Sequence, residues 1–289
     1  MDARTEFAAL EARKLAEIEH SRRRRSILQG FERHIDTHKN EEVPDMDKLI
    51  RDREAFNYHF SNVKFYSVAQ SSEAYQYSWL ARKCGPTVKV LDFACGNGEN
   101  GVFAAKCGAE TVGIDISPEG VANANRNAEA AGVSDHCRFE VMDGEAMSFP
   151  DNNFDIGVEY GALHHVDLHR ALDELRRVIK PTGEMICVEA LRHNPFIHWY
   201  RKNTPHLRTE WEVNHILRVE DLKTVRQYFR HVEVKFFHLA VLAAVPLRKT
   251  SLYKPLRTIL EKIDTLILKN EKIGKYGWIM VFTMQHPMK

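Results

Sequence analysis

The chain has 289 residues, 44% of them hydrophobic and 28% charged, with a formal net charge of +1. Such a composition fits a globular chain long enough for one large α/β unit with additions. The balanced charge supplies no whole-molecule attraction to nucleic acid or to an anionic membrane. Cys84, Cys95, Cys107, Cys137 and Cys187 are scattered without C-x-x-C spacing, which points to reduced thiols in a cytoplasmic setting rather than a disulfide framework. The N-terminus carries Asp2, Glu6 and Glu11 and no apolar core, so no signal peptide is expected there. The longest apolar run, Phe236 to Leu247, is interrupted by His238 and Pro246 and is too short to span a bilayer. No internal repeat or low-complexity segment is evident.

Residues 5–33 predict a helix, with Phe7, Leu10, Leu15, Ile18, Ile27, Leu28 and Phe31 at loosely helical spacing. Its basic run, Arg22 to Arg25, reads as a solvated face, or as a contact for an anionic partner, a second subunit or an active-site lid. Polar residues 34–47, with Pro44, read as a linker, which separates an N-terminal helix and linker (1–46) from the main unit (47–289). Asp47 to Trp79 is a second helical region, rich in aromatic residues that are mostly expected in the core.

Strands are then predicted near 88–93, 111–115, 137–142, 154–158, 183–190, 231–238 and 277–284. Helices fall near 99–107, 118–131, 168–179, 219–229 and 253–268. Strands alternating with helices predict a largely parallel, doubly wound α/β sheet. Ser117-Pro118 is a helix start, and Pro181-Thr182-Gly183 is expected to turn the fourth of these helices into strand five. Two helical insertions follow strands five and six. Residues 191–218 carry Phe196, Trp199, Tyr200 and Trp211 with several histidines. Residues 239–275 are first apolar and then basic. The first leaves a strand's carboxyl end, the ligand side of open α/β sheets. The second is a candidate cap or subunit contact, and a peripheral membrane contact fits its composition.

The most informative stretch is Val88 to Gly101. Val88, Val90 and Leu91 make a buried strand, and Gly96, Gly98 and Gly101 follow at G-x-G-x-x-G spacing before a helical run. Glycines there let backbone N–H groups approach a ligand. The spacing alone suggests a dinucleotide site and is weak evidence. Asp92, at the strand end, would crowd a pyrophosphate and suits an ammonium. Asp115 ends a second apolar run, where a carboxylate accepts ribose hydroxyls. Together they fit S-adenosylmethionine (SAM) better than NAD.

Asp92-Phe93-Ala94-Cys95-Gly96-Asn97-Gly98 resembles motif I, D-x-G-x-G-x-G, of the class I (Rossmann-like) SAM-dependent methyltransferases. Phe149 to Asp155, Leu163-His164-His165-Val166 and Val178 to Glu184 are similar to later motifs of that family, in the same order. The resemblance runs from about Tyr75 to Glu189 and points to the small-molecule (type 11-like) branch. It implies a seven-stranded sheet of order 3-2-1-4-5-7-6 with an antiparallel last strand. Ala94 stands where the family usually has glycine, and Thr182 replaces the first glycine of a Pro-Gly-Gly turn.

The expected cofactor set is Asp92, Ala94, Gly96, Asn97 and Gly98 at the methionine end, Asp115 and Ile116 at the ribose and adenine, and Asp143 with Gly144 at the adenine amino group. Glu159 completes it from the end of strand four. In resembling enzymes the aromatic segment lies over the SAM pocket, so Tyr66 or Tyr75 is expected to face the sulfonium. Tyr160, Trp199, Tyr200 and His206 are the expected acceptor contacts. His164, with His165 as the second candidate, occupies the position after strand four where resembling enzymes often carry an acid–base group. Histidine is the side chain best poised for that near neutral pH. A ring simply bonded within the helix-start turn is the plain alternative for either. A metal set from His164, His165 and His169 lacks a carboxylate at ligand spacing, so no metal is expected.

The reading is therefore a cytoplasmic methyltransferase acting on a small hydrophobic acceptor: lipid-like, isoprenoid or an aromatic natural product. Nucleic acid is not the expected partner, since no N-P-P-Y-type motif follows strand four. A homo-oligomer through the N-terminal helix fits the helix pattern. The competing readings are a non-catalytic SAM-binding scaffold and an NAD(P)-dependent oxidoreductase.

Overall fold

The computed structural model describes residues 11–29, 65–204 and 207–289. The proposed boundary between residues 46 and 47, the aromatics Phe56, Tyr58 and Phe60, and His206 lie outside the described residues.

The elements in chain order are α1 (Ala12–Gln29), α2 (Gln70–Lys83), β1 (Lys89–Phe93), α3 (Glu99–Lys106), β2 (Glu110–Asp115), α4 (Pro118–Ala130), β3 (Cys137–Val141), β4 (Phe154–Tyr160), α5 (Leu168–Val178) and β5 (Ile179–Ala190). They continue with α6 (Pro195–Lys202), α7 (Glu210–His215), a short 3₁₀ turn (Val219–Asp221), α8 (Leu222–Val225), β6 (Phe229–Phe237), a 3₁₀ segment (Ala240–Leu247), α9 (Tyr253–Ile267), α10 (Glu271–Gly274) and β7 (Ile279–Pro287). The strands form one seven-stranded sheet of order β3-β2-β1-β4-β5-β7-β6, with β7 antiparallel to both neighbours and the other pairings parallel. The doubly wound fold expected from the sequence is the fold observed.

The strand pleat sorts side chains between two cores. Leu91, Phe93, Val112, Ile114, Met185 and Cys187 face one layer, which α5 completes with Ala171, Leu172, Leu175 and Val178. Val90, Ile156, Val158, Ile186 and Val188 face the other, closed by α2 and the 3₁₀ segment through Trp79, Leu80, Val241 and Leu242. Helix starts follow from local chemistry. Ser117 caps α4 through its Oγ, which accepts from Gly120 N–H at 3.2 Å, with Pro118 at the first position. Asp167 caps α5 by accepting from Arg170 N–H at 3.0 Å.

Two expectations need correction. Pro181-Thr182-Gly183 is not a turn ahead of β5 but part of it. Phe154 pairs with Ile179 while Ile156 pairs with Glu184, so the intervening residues bulge from the ladder. The helix expected over 219–229 is only the 3₁₀ turn and the single turn of α8, after which β6 starts at Phe229.

Candidate active site

The carboxyl ends of β1, β2, β4 and β5, with α1, α6 and α7, enclose a cavity of about 510 Å³. Its floor is the loop that leaves β1. Ala94, Gly96 and Gly98 have φ of 52°, 58° and 81°. A Cβ on Gly98 would lie 2.5 Å from the Phe139 ring, so both the turn and the packing require glycine there. Ala94 holds the left-handed conformation with a side chain, a strain of about 1–2 kcal/mol that glycine would not incur.

Asp115 ties this loop to the next. Its Oδ2 accepts from Gly96 N–H at 2.9 Å and its Oδ1 from Ser117 N–H at 2.8 Å. Both oxygens act as acceptors, and the residue lines the cavity. Ile114, Ile116, Met142, Asp143 and Gly144 line the same cavity, adding apolar side chains and a second carboxylate.

The structure separates the expected cofactor residues. Ala94, Gly96, Asn97, Asp115, Ile116, Asp143, Gly144 and Tyr66 line the cavity. Gly98 packs beneath the loop instead. Asp92 is 1% exposed and turned under it: its Oδ2 accepts from Gly101 N–H at 2.9 Å, and its Oδ1 is buried without a partner among the described residues. Burial pushes its pKa up to about 8, which favours the neutral carboxyl over a charge presented to a ligand. Tyr75 is also off the wall, its ring 5.9 Å from that of Phe237, with Lys235 Nζ 4.4 Å above it.

The acceptor side is equally divided. Tyr160 and Tyr200 line the cavity, whereas Trp199 is 62% exposed and faces outward. The spacing Ile197, Tyr200, Arg201 forms the buried stripe of α6, and Trp199 falls off it.

Both histidine candidates line the cavity, their ring centroids 4.3 Å apart. His164 is buried, and its Nδ1 lies 2.6 Å from Glu189 Oε2, while Glu189 Oε1 accepts from Leu163 N–H at 2.6 Å. Glu189 was not singled out in the sequence. It reaches His164 because β5 lies beside β4 in the sheet. Burial opposes charge on Glu189, but the His164 ring and the donors around it outweigh burial and hold its carboxyl below the usual range. Glu159, expected at the cofactor, sits behind this pair with 0% exposure, and one oxygen accepts from Ala162 N–H. Burial, then the Glu189 charge, hold Glu159 well above the usual carboxylate range. Among the described residues its Oε2 has no hydrogen-bond partner. Once protonated, that oxygen becomes a donor beside the Glu189 carboxylate.

His165 meets a different element. Its Nδ1 lies 2.9 Å from Glu17 Oε2 on α1. Burial works against the charged ring, but Glu17 and Glu212 outweigh it and raise the His165 pKa. The same helix also reaches the Asp143 wall. Lys14 Nζ donates to Asp143 Oδ2 at 2.7 Å and lies 3.0 Å from Glu145 Oε2, and Arg13 pairs with Glu145. Lys14 and Arg13 were missed because nothing local marks a helix for a site more than a hundred positions away. Among the described residues no group of His, Cys, Asp and Glu could hold a metal ion, and no helix is long and apolar enough to cross a membrane.

The seven-stranded sheet of this order, the left-handed glycine loop after β1 and the carboxylate closing β2 agree with the fold that the sequence resemblance implies. Residues 90–183 match the family model of a methyltransferase domain. Among individual proteins, the chain is 27% identical to a sterol 4-C-methyltransferase (strm-1) of Caenorhabditis elegans, over 62% of this chain and 54% of that protein. It is 38% identical to the demethylmenaquinone methyltransferase of Thermus thermophilus, over 35% of this chain and 46% of that one. The chain thus spans about half the length of these relatives. The solved geranyl diphosphate C-methyltransferase of Streptomyces coelicolor superposes with a TM-score of 0.51 at 17% identity, covering 74% of this chain and 76% of that one, a likeness of fold.

Proposed function

We propose that this protein binds SAM in the cavity and transfers its methyl group to a small, hydrophobic, lipid-like or isoprenoid acceptor. The observation that carries this reading is one cavity lined by both Asp115 and His164, with Glu189 paired behind the His164 ring. The residues present fit SAM. Asp115 offers lone pairs to ribose hydroxyls, Ile116, Met142 and Asp143 suit an adenine, and the backbone of Ala94 to Asn97 faces the amino-acid end. Tyr66 and Tyr160 supply aromatic wall near the reacting centre, where cation–π attraction for a sulfonium is worth about 0.5–2 kcal/mol.

When bound, SAM supplies an electrophilic methyl group. The protein's task is to hold donor and acceptor in line, and to take a proton where the acceptor must lose one. Nδ1–H of His164 donates to the Glu189 carboxylate, which leaves Nε2 as the proton acceptor. Glu189 then stabilises the positive ring that results, as an orienting carboxylate does for a catalytic histidine. α1 forms part of the cavity wall through Arg13, Lys14 and Glu17, which shields the bound reactants on that side from bulk water.

Further features support secondary readings. The five cysteines are free thiols, which supports a reducing, cytoplasmic compartment. Exposed Leu252, Ile259, Ile263 and Leu266 on and beside α9 stand among exposed Lys254, Lys262 and Lys269, which supports peripheral contact with an anionic lipid surface. An oligomer through α1 would use its outer face, where Leu15 is exposed, because its inner face is engaged within the chain.

The test is incubation with methyl-labelled SAM and a lipid extract of the source cell, with mass analysis for label in a product. Label in a lipid-soluble product supports the reading. Calorimetric binding of S-adenosylhomocysteine (SAH) without transfer to any fraction would favour the scaffold reading, and NADH binding in its place would favour the oxidoreductase.

A further inference from the structure

The acceptor side of the cavity contains a cation that the methyl-transfer scheme does not use. Arg201, on the buried stripe of α6, is 6% exposed and lines the cavity. Among the described residues it makes one hydrogen bond, NH1 donating to Leu191 O at 2.8 Å, and no ion pair. The carboxylates that attract it, Glu212 and Glu189, are engaged elsewhere. Glu212 Oε1 lies 3.3 Å from Arg208 Nε, and Glu189 takes His164 and Leu163 N–H. Arg208 lines the same cavity and adds positive charge beside Arg201. A guanidinium carries five N–H donors, and burying its charge without a counter-ion is strongly unfavourable. Burial and the neighbouring Arg208 push its pKa down to about 10, still well above neutrality, so it remains charged. A buried, charged fork on a cavity wall with one backbone partner has the chemistry of an anion site.

We propose that Arg201 forms an anion subsite: the methyl acceptor is an amphiphile whose carboxylate or phosphate pairs with the Arg201 guanidinium, while its apolar body lies against Phe65, Tyr66, Tyr200, Leu207 and Trp278. The proposal rests on the reading of this cavity as the methyl-transfer site. The rings named belong to one cluster, with Phe65 and Tyr200 centroids 4.8 Å apart and Tyr66 and Trp278 5.6 Å apart. Anion and apolar wall therefore bound one space. The pairing would fix the acceptor end-on, leaving its reacting carbon or oxygen to be placed between the glycine loop and His164.

Octyl phosphate, octanoate and octanol are titrated calorimetrically into SAH-saturated protein. One or both anions should bind at least about tenfold tighter than octanol, as a charge-assisted hydrogen bond implies. The ranking of phosphate against carboxylate identifies the headgroup. Arg201→Gln should abolish the preference while SAH affinity stays unchanged. Equal binding of all three probes to the wild-type protein would overturn the proposal. So would a variant that loses SAH affinity and keeps the preference, because Arg201 would then serve the donor's carboxylate. If Arg201→Gln does not fold, Arg201→Lys decides: losing the planar fork should lower anion affinity with SAH binding held, and an unchanged preference overturns the subsite. If wild-type protein binds no SAH, the methyl-transfer reading fails, and the same titrations on the free protein still decide the anion subsite.

Discussion

Asp115→Ala removes a side chain with two separable duties, and the structure assigns a magnitude to each. In the free protein its carboxylate holds Gly96 N–H at 2.9 Å and Ser117 N–H at 2.8 Å. Both groups are partly buried at a cavity that water can enter, so the loss is about 1 kcal/mol for each, at the low end for an orphaned donor. With an unfolding entropy of about 2.1 cal/mol/K per residue, the 289 residues give about 0.6 kcal/mol/K. The Tm should therefore fall by about 3 °C. In the complex the variant loses in addition two hydroxyl bonds to a charged acceptor, about 1.5–3 kcal/mol each. The Kd for SAH should rise by about 10²- to 10⁴-fold. Isothermal calorimetry measures the second quantity and a thermal melt the first. A variant that melts lower but binds SAH with wild-type affinity would reduce Asp115 to a loop tie and remove it from the ribose site.

Glu189→Gln offers one acceptor and one donor where the carboxylate accepted from both His164 and Leu163. With the His164 tautomer no longer fixed, kcat should drop by about 10²- to 10⁴-fold with SAH affinity retained, and an unchanged kcat would exclude the orienting role of Glu189. Tyr200→Ala should raise the acceptor KM, whereas Trp199→Ala, at an exposed position, should leave it unchanged, and the opposite pattern would reverse the assignment of the α6 faces. His238 is fully buried with Nε2 2.8 Å from Ser72 Oγ, and burial pushes its pKa down to about 3. Its neutral form stabilises the fold fully above the unfolded histidine value of about 6.5. As the pH falls from there toward 3 the unfolded chain binds a proton that the fold refuses, and stability drops by up to about 1.4 kcal/mol per pH unit. His238→Asn, which tolerates the positive φ of 63° at this position, should flatten denaturant-measured stability between pH 6 and 4; parallel curves for both proteins would contradict the assigned shift.

The elements of this fold were legible because each is written in local periodicity. The apolar runs of β1 and β2, the cap at Ser117 and the amphipathic stripe of α5 hold whatever the rest of the chain does. The glycine loop was legible for the same reason, since a left-handed backbone is a property of the residues that adopt it. Asp115 and Tyr160 end strands and Asp143 lies two residues past the end of β3, and strand ends in an open α/β sheet converge on the ligand edge, so their place on the cavity followed from position alone.

Side-chain direction did not follow. Asp92 and Glu159 each stand one residue before a strand's end, yet both turn under loops, where burial first and neighbouring carboxylates second raise their pKa values. Trp199 and Tyr200 are adjacent in sequence and point opposite ways, because successive residues on a helix stand about 100° apart. The spacing of Ile197, Tyr200 and Arg201 carried that signal in a helix too short to weigh it by composition. The pairs that give the cavity its chemistry are the least local of all. Glu189 meets His164 only because β5 lies beside β4, and Lys14 meets Asp143 only because α1 folds back over the sheet. Periodicity fixes which residues face a core. Which distant charges then meet, and which buried cation is left for a ligand, is decided only when the sheet and its covering helices are assembled.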